Sequence, residues 1–142
     1  MNYEESIEKM YLQSKKNIAK FGHQNFNVIL EAMVEELGAL AQAYLQFEYE
    51  GKPRQRIVEE AVDLGALCFQ FDLDPLVVRT AGNEMTDLYN SPSPTIDLLR
   101  VLTNLSFTAG QANCIVCHEL KRVLFICGNI VEAFTKPINK EN

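Results

Sequence analysis

Two short stretches of the chain carry more acid than their apolar surroundings explain. Residues 34 to 43, VEELGALAQA, place Glu35 and Glu36 side by side, and residues 58 to 67, VEEAVDLGAL, place Glu59, Glu60 and Asp63 in a second apolar run. Carboxylates at such positions could hold a divalent cation. Taking about 100° of rotation per helical residue, Ile29, Met33, Leu37, Leu40 and Tyr44 form one apolar stripe, and Glu36 lies roughly 60° from its centre, on the shoulder of the buried face. Glu35 points away, with Glu31 and Gln42. In the second run Ile57, Leu64, Cys68 and Phe71 define the interior. Glu60 falls between Leu64 and Leu67 and is predicted to point inward, with Asp63 bordering the same face.

Desolvating a charge without a partner is costly, and three carboxylates on facing helices repel one another. Two arrangements relieve that cost. Hard oxygen ligands at this density suit Mg²⁺, with water and substrate phosphates completing its octahedron. Alternatively, Glu36 pairs with a basic side chain and Glu60 takes a salt bridge from Arg56, four residues earlier.

Basic residues lie close by in sequence. The segment EGKPRQR, residues 50 to 56, puts Lys52, Arg54 and Arg56 beside the acidic helices, where cations could hold the β- and γ-phosphates of a nucleotide. Solvated loop charges, with Arg56 bonded to Glu60, are the other reading. A further segment, CIVCH at 114 to 118, has the C-x-x-C-H form of covalent haem attachment. That chemistry requires export, for which no leader is apparent. His118 is predicted to face away from the buried stripe of Val116, Leu120, Val123, Cys127, Ile130 and Phe134, so the cysteines read as small core residues.

The elements that must position these groups are helical almost throughout. Helices are predicted at about 3 to 20, 28 to 47, 54 to 71, 75 to 89, 95 to 111 and 115 to 135. FGHQN, EGKPR, DLDP and NSPSP mark breaks between them, through glycine, proline and capping residues. The expected fold is a single all-α domain over residues 1 to 142, a helical bundle closed by a C-terminal hairpin at about 95 to 135.

The doublet EELGAL on one helix followed by EEAVD on the next resembles the acidic signature of the all-α nucleoside triphosphate pyrophosphohydrolases. This is the MazG-like group, which includes dimeric dUTPases and phosphoribosyl-ATP pyrophosphohydrolases. FGHQN before the second helix and DLDPLVVRTAGNEMTDLY after the third are similar to its flanks, so the likeness covers about residues 15 to 90. The family pattern is E-E-x-x-E, a loop, then E-x-x-D, holding Mg²⁺ over the triphosphate.

The resemblance implies a four-helix core plus two C-terminal helices. It implies Glu36, Glu60 and Asp63 as ligands of Mg²⁺ or Mn²⁺, with Glu35 or Glu59 orienting or deprotonating water. Lys52, Arg54, Arg56 and Arg79 would bind phosphate, and Asn83 the nucleotide. It further implies a homodimer or homotetramer. One position departs from the pattern: the third glutamate of the first motif is Ala39, which leaves open an enzyme with a modified metal site or a relative that has lost catalysis.

Composition is consistent with this reading. A chain of 142 residues with 47% hydrophobic and 23% charged residues can bury one core. The net charge of −6 argues against general binding of nucleic acid or anionic membranes. The N-terminus MNYEESIEKM is acidic and polar, and the longest apolar stretch, VLFICGNIVEAF, is broken by Gly128, Asn129 and Glu132. A cytoplasmic protein with free thiols is expected. The expected activity is hydrolysis of a nucleoside or deoxynucleoside triphosphate to monophosphate and pyrophosphate. A catalytically silent helical oligomer that binds nucleotides or a protein partner is the alternative.

Overall fold

The computed structural model describes residues 1–71, 73–76, 78, 92–108 and 113–137, and of residues 113–115 the backbone alone. Among them are five α-helices and no strand: α1 (Tyr3–Phe21), α2 (Phe26–Glu50), α3 (Gln55–Cys68), α4 (Pro94–Phe107) and α5 (Asn113–Thr135). A 3₁₀ turn, Phe69–Phe71, continues α3. The fold is therefore all-α, as expected. The helix anticipated at about 75 to 89, the fourth of the proposed core, lies outside the described residues except at 75–76 and 78, and with it Arg79 and Asn83.

Local chemistry sets the helix ends. The Asn2 side chain accepts a hydrogen bond from the Glu5 amide at 2.8 Å, and Asn25 accepts one from Val28 at 3.0 Å. Each satisfies an amide that the first helical turn leaves without an intrahelical partner. Asn25 thus starts α2 two residues earlier than its apolar periodicity suggests. At the other end Gly51 adopts the left-handed conformation, φ +67°, and its amide bonds to Gln46 O. This C-cap carries α2 to Glu50, three residues beyond the predicted end. Pro94 occupies the first turn of α4, where its missing N–H costs nothing.

Packing is organised around α3 and α5, which make the most extensive contact in the bundle. Helix α1 lies against both, α2 packs on α3 and α4, and α4 packs on α5. The apolar stripes meet in one core, with Ile7, Met10, Ile29, Met33, Leu40, Ile57, Leu64, Leu98, Leu105, Leu120 and Leu124 fully buried. Burial of this apolar surface is the main favourable contribution to folding. Gly128 brings α5 close enough to α1 that a Cβ there would meet the Tyr3 ring. Cys68 and Cys127 are buried free thiols, both pushed up by desolvation, and Cys117 is half-buried and free. His118 is exposed, facing away from the core as expected. No helix among the described residues is long and apolar enough to cross a membrane.

Candidate functional site

The antiparallel packing of α2 on α3 turns the two acidic stretches toward each other. One carboxylate oxygen from each of Glu36, Glu60 and Asp63 lies within 4.8 Å of the others, and among the described residues this is the only such group of three metal-ligand side chains. Glu36 and Glu60 are partly buried, and Asp63 is the most open of the three. Glu60 is the more shielded side of its pair with Arg56, at 18% exposure against 42%.

Proximity of like charges leaves its mark on the acids. Burial, a hydrogen bond to Glu60, and the charges of Asp63, Glu60 and Glu35 together push the Glu36 carboxyl up to about 7. Asp63 is also raised, by desolvation and then by Glu60 and Glu59, while Lys9 on α1 works in the opposite direction. Desolvation and neighbouring negative charge both disfavour ionisation, and a cation placed among the three groups would reverse both effects.

Arg56 answers the alternative raised by the sequence only in part. Its Nε lies 3.8 Å from Glu60 Oε1, the long end of an ion pair. Its terminal nitrogens donate instead to α2: Nη1 to Gln46 Oε1 at 2.6 Å and Nη2 to Gln42 Oε1 at 3.0 Å. Arg56 therefore ties α3 to α2 and touches the acid cluster on one side. Glu60 stands between this tie and Glu36.

Two cavities lie along these helices, and one of them borders the cluster. One, of about 620 Å³, opens between α1, α2 and the end of α3, with Glu36 and Asp63 in its wall. The rest of its lining is apolar or carries neutral amides: Phe21, Val28, Ile29, Ala32 and Leu67 on the one hand, Gln13, Asn17, Gln24 and Gln70 on the other. The second, of about 500 Å³, lies toward the α2–α3 loop and is lined by Ala43, Gln46, Lys52, Pro53, Gln55, Arg56 and Glu59.

The expected site residues are thus distributed unevenly. Glu36, Glu60 and Asp63 converge. Glu35 and Glu59 are exposed and stand outside the cluster, Glu59 within 3.5 Å of the Gln55 amide. Lys52 is exposed in the wall of the second cavity with Arg56. Arg54 is partly buried at the N-cap of α3 and lines neither cavity. Ala39 is partly buried on α2, and Gln42, one turn further on, is engaged with Arg56.

Sequence reasoning missed the amides of α1 and the 3₁₀ turn. Gln13 and Asn17 are four residues apart and hydrogen-bond at 3.0 Å, a spacing visible in the sequence as two neutral polar residues beside the Met10 and Ser14 face. Lys9 was missed likewise. Together these features define an all-α bundle whose three-carboxylate cluster adjoins a cavity lined by both amide and apolar side chains. No protein-family model, curated protein or solved structure matches the chain.

Proposed function

We propose that this chain is a Mg²⁺-dependent nucleoside triphosphate pyrophosphohydrolase, similar to the MazG-like enzymes, converting a (d)NTP and water to a (d)NMP and pyrophosphate. The observation that carries the reading is the convergence of Glu36, Glu60 and Asp63 from two helices to within 4.8 Å beside a cavity of about 620 Å³. The donor set fits Mg²⁺ or Mn²⁺: all oxygen, all carboxylate, and under mutual repulsion in the absence of a cation. A cation bound there supplies charge neutralisation for the triphosphate and acidifies water for attack at phosphorus.

The chain's own residues would divide the remaining work. Glu36, Glu60 and Asp63 would hold the cation through their carboxylate oxygens. Glu35 or Glu59, exposed and outside the cluster, would orient or deprotonate the attacking water. Lys52 would meet phosphate oxygens, with Arg54 and Arg79 as further candidates. Arg56 is better suited to fixing the α2–α3 geometry, since both terminal nitrogens are already engaged. Asn83 would contact the nucleotide. Assembly as a homodimer or homotetramer is supported by apolar side chains exposed on α2 and α4, among them Val34, Leu45, Tyr49, Ile96 and Leu99. The reading places the protein in the cytoplasm, where its triphosphate substrates are found.

Ala39 favours the second reading, a silent bundle that binds nucleotide or a protein partner, because it removes a carboxylate that the family pattern supplies. A panel of nucleotides incubated with Mg²⁺ or Mn²⁺ and scored for monophosphate and pyrophosphate separates the two. Metal-dependent release of pyrophosphate, lost on chelation, is expected. Silence across the panel would leave the binding bundle as the better account.

A further inference from the structure

Gly38, Gly65 and Gly128 all sit inside helices, and the last two have a visible reason. A Cβ on Gly65 of α3 would meet the Met10 side chain, and one on Gly128 of α5 would meet the Tyr3 ring, so each glycine lets α1 approach. Gly38 of α2 has no such neighbour. No described atom lies within 4 Å of where its Cβ would stand. Glycine inside a helix is unfavourable, because it orders the most flexible backbone and packs no side chain in return. At Gly38 no described neighbour offsets that cost.

Gly38 lies at the middle of an apolar stripe on the outside of α2. At about 100° per residue, Val34, Gly38, Ala41, Leu45 and Tyr49 fall within roughly 80° of one another, away from the buried stripe of Ile29, Met33, Leu37 and Leu40. Val34, Leu45 and Tyr49 are exposed. The four- and three-residue steps from Val34 to Leu45 are the alternation by which one helix receives the side chains of another. Every charged side chain of α2 is an acid: Glu31, Glu35, Glu36, Glu48 and Glu50. Glu31 and Glu35 edge the stripe on one side and Glu48 on the other. Packing two copies of this face together would set glutamate against glutamate, which disfavours a second α2 as the partner.

The complementary face is on α1. From Lys9 onward that helix carries Lys9, Lys15, Lys16 and Lys20 and no acid, and all four lysines are exposed, as is Leu12. Leu12, Lys16 and Ala19 share one side of the helix, with Lys15 and Lys20 at its edges. Lys15 and Lys20 lie over the Tyr11 and Phe21 rings, at 4.7 Å and 5.0 Å, contacts that leave their charge available to a partner. The other basic run, residues 52 to 56, suits the stripe less well, since Lys52 is on a loop and Arg56 is engaged with Gln42 and Gln46.

We propose that α2 is a docking surface for a second copy of this chain, whose α1 lies along the Val34–Leu45 stripe with Leu12 over Gly38 and its lysines paired with Glu31, Glu35 and Glu48. The small residues Gly38 and Ala41, set between Val34 and Leu45, leave the notch that Leu12 fills. Each copy carries both faces, so the contact can form twice about a two-fold axis and close a dimer. This surface lies outside the cluster of Glu36, Glu60 and Asp63, and the inference does not rest on the hydrolase reading.

Light scattering behind gel filtration, repeated over a dilution series of the full chain, tests it. Wild type is expected to run as a dimer that weakens as salt rises, because its ion pairs lie near solvent. The double variants Glu31→Lys with Glu48→Lys, on α2, and Lys15→Glu with Lys16→Glu, on α1, should each weaken dimerisation by about ten-fold or more. Mixed in equal amounts they should recover it, since both contacts of the resulting heterodimer again pair opposite charges. Gly38→Gln should keep the helical circular dichroism of wild type, having room for its side chain in a single copy, yet fail to dimerise. A wild type that stays monomeric at every concentration overturns the inference. So does a dimer that either charge reversal or Gly38→Gln leaves as tight as before, or a mixture of the two reversed variants that does not associate.

Discussion

Glu36 on α2 and Glu60 on α3 bring carboxylate oxygens within 4.8 Å of each other across the helix interface, and this proximity is one of the causes that disfavour ionisation of Glu36. Asp63, one turn beyond Glu60, adds a third acid to the same space. The bundle thus carries an electrostatic cost at this cluster, and several measurable properties depend on it.

The first is pH dependence. The Glu36 carboxyl is pushed up from 4.5 to about 7 in the fold, so between those values the folded chain keeps a proton that the unfolded chain has lost. Metal-free stability should therefore decline as pH rises from about 4.5 to about 7 and then level off. Because the side chain is only partly buried, solvent screening reduces this contribution to on the order of 1 kcal/mol. Glu36→Gln should flatten the decline, as urea titrations in chelator across that range will reveal. A wild-type profile that rises over the same interval would contradict the assigned environment.

Removing one of the three charges should favour the empty fold and disable the site. Glu60→Gln is expected to bind Mg²⁺ at least ten-fold more weakly, while its metal-free melting temperature stays equal to or above that of wild type. Calorimetry and thermal melting check the two parts. Unchanged Mg²⁺ affinity, or marked destabilisation without metal, would mean that Glu60 serves chiefly as the partner of Arg56.

Ala39 offers the reverse experiment. A glutamate at this position would stand one turn from Glu35 and Glu36 on α2 and add a carboxylate to the α2 side of the cluster. In chelator, Ala39→Glu should lower the melting temperature through added repulsion. With Mg²⁺ it should gain more than wild type does. Equal responses of the two proteins to Mg²⁺, combined with no pyrophosphate from any nucleotide, would sink the enzyme reading.

Arg56 should behave as a structural tie. Its hydrogen bonds to Gln42 and Gln46 join α3 to α2 across fourteen and ten residues of sequence, at 3.0 Å and 2.6 Å respectively. Arg56→Ala is expected to destabilise the metal-free protein by about 1 kcal/mol, less than a fully buried charged bond because the guanidinium is partly exposed. A variant whose stability matches wild type but whose KM for triphosphate rises steeply would instead place Arg56 on the phosphates.

The helices themselves were legible because each carries an apolar period of about 3.6 residues and most carry asparagine or proline at the start or glycine or proline beyond the end. The inward lean of Glu60 and the shoulder position of Glu36 followed from that same period, since angular position on a helix is a local property. Boundaries shifted where a cap outweighed periodicity, as at Asn25 and Gly51. What local periodicity could not supply is how one helix is rotated and advanced against another. Only tertiary packing brought Glu36 to Glu60, spent Arg56 on Gln42 and Gln46 rather than on a full ion pair, and set Lys9 near Asp63. The amide-lined cavity belongs to the same category. Gln13 and Gln70 are 57 positions apart by their numbers and share a wall only because the aromatic contacts of Phe69 and Phe71 draw the 3₁₀ turn against α1 and α2. Side-chain pairing across helices depends on interhelical register and rotamer, quantities fixed by the whole core at once and by no single segment of sequence.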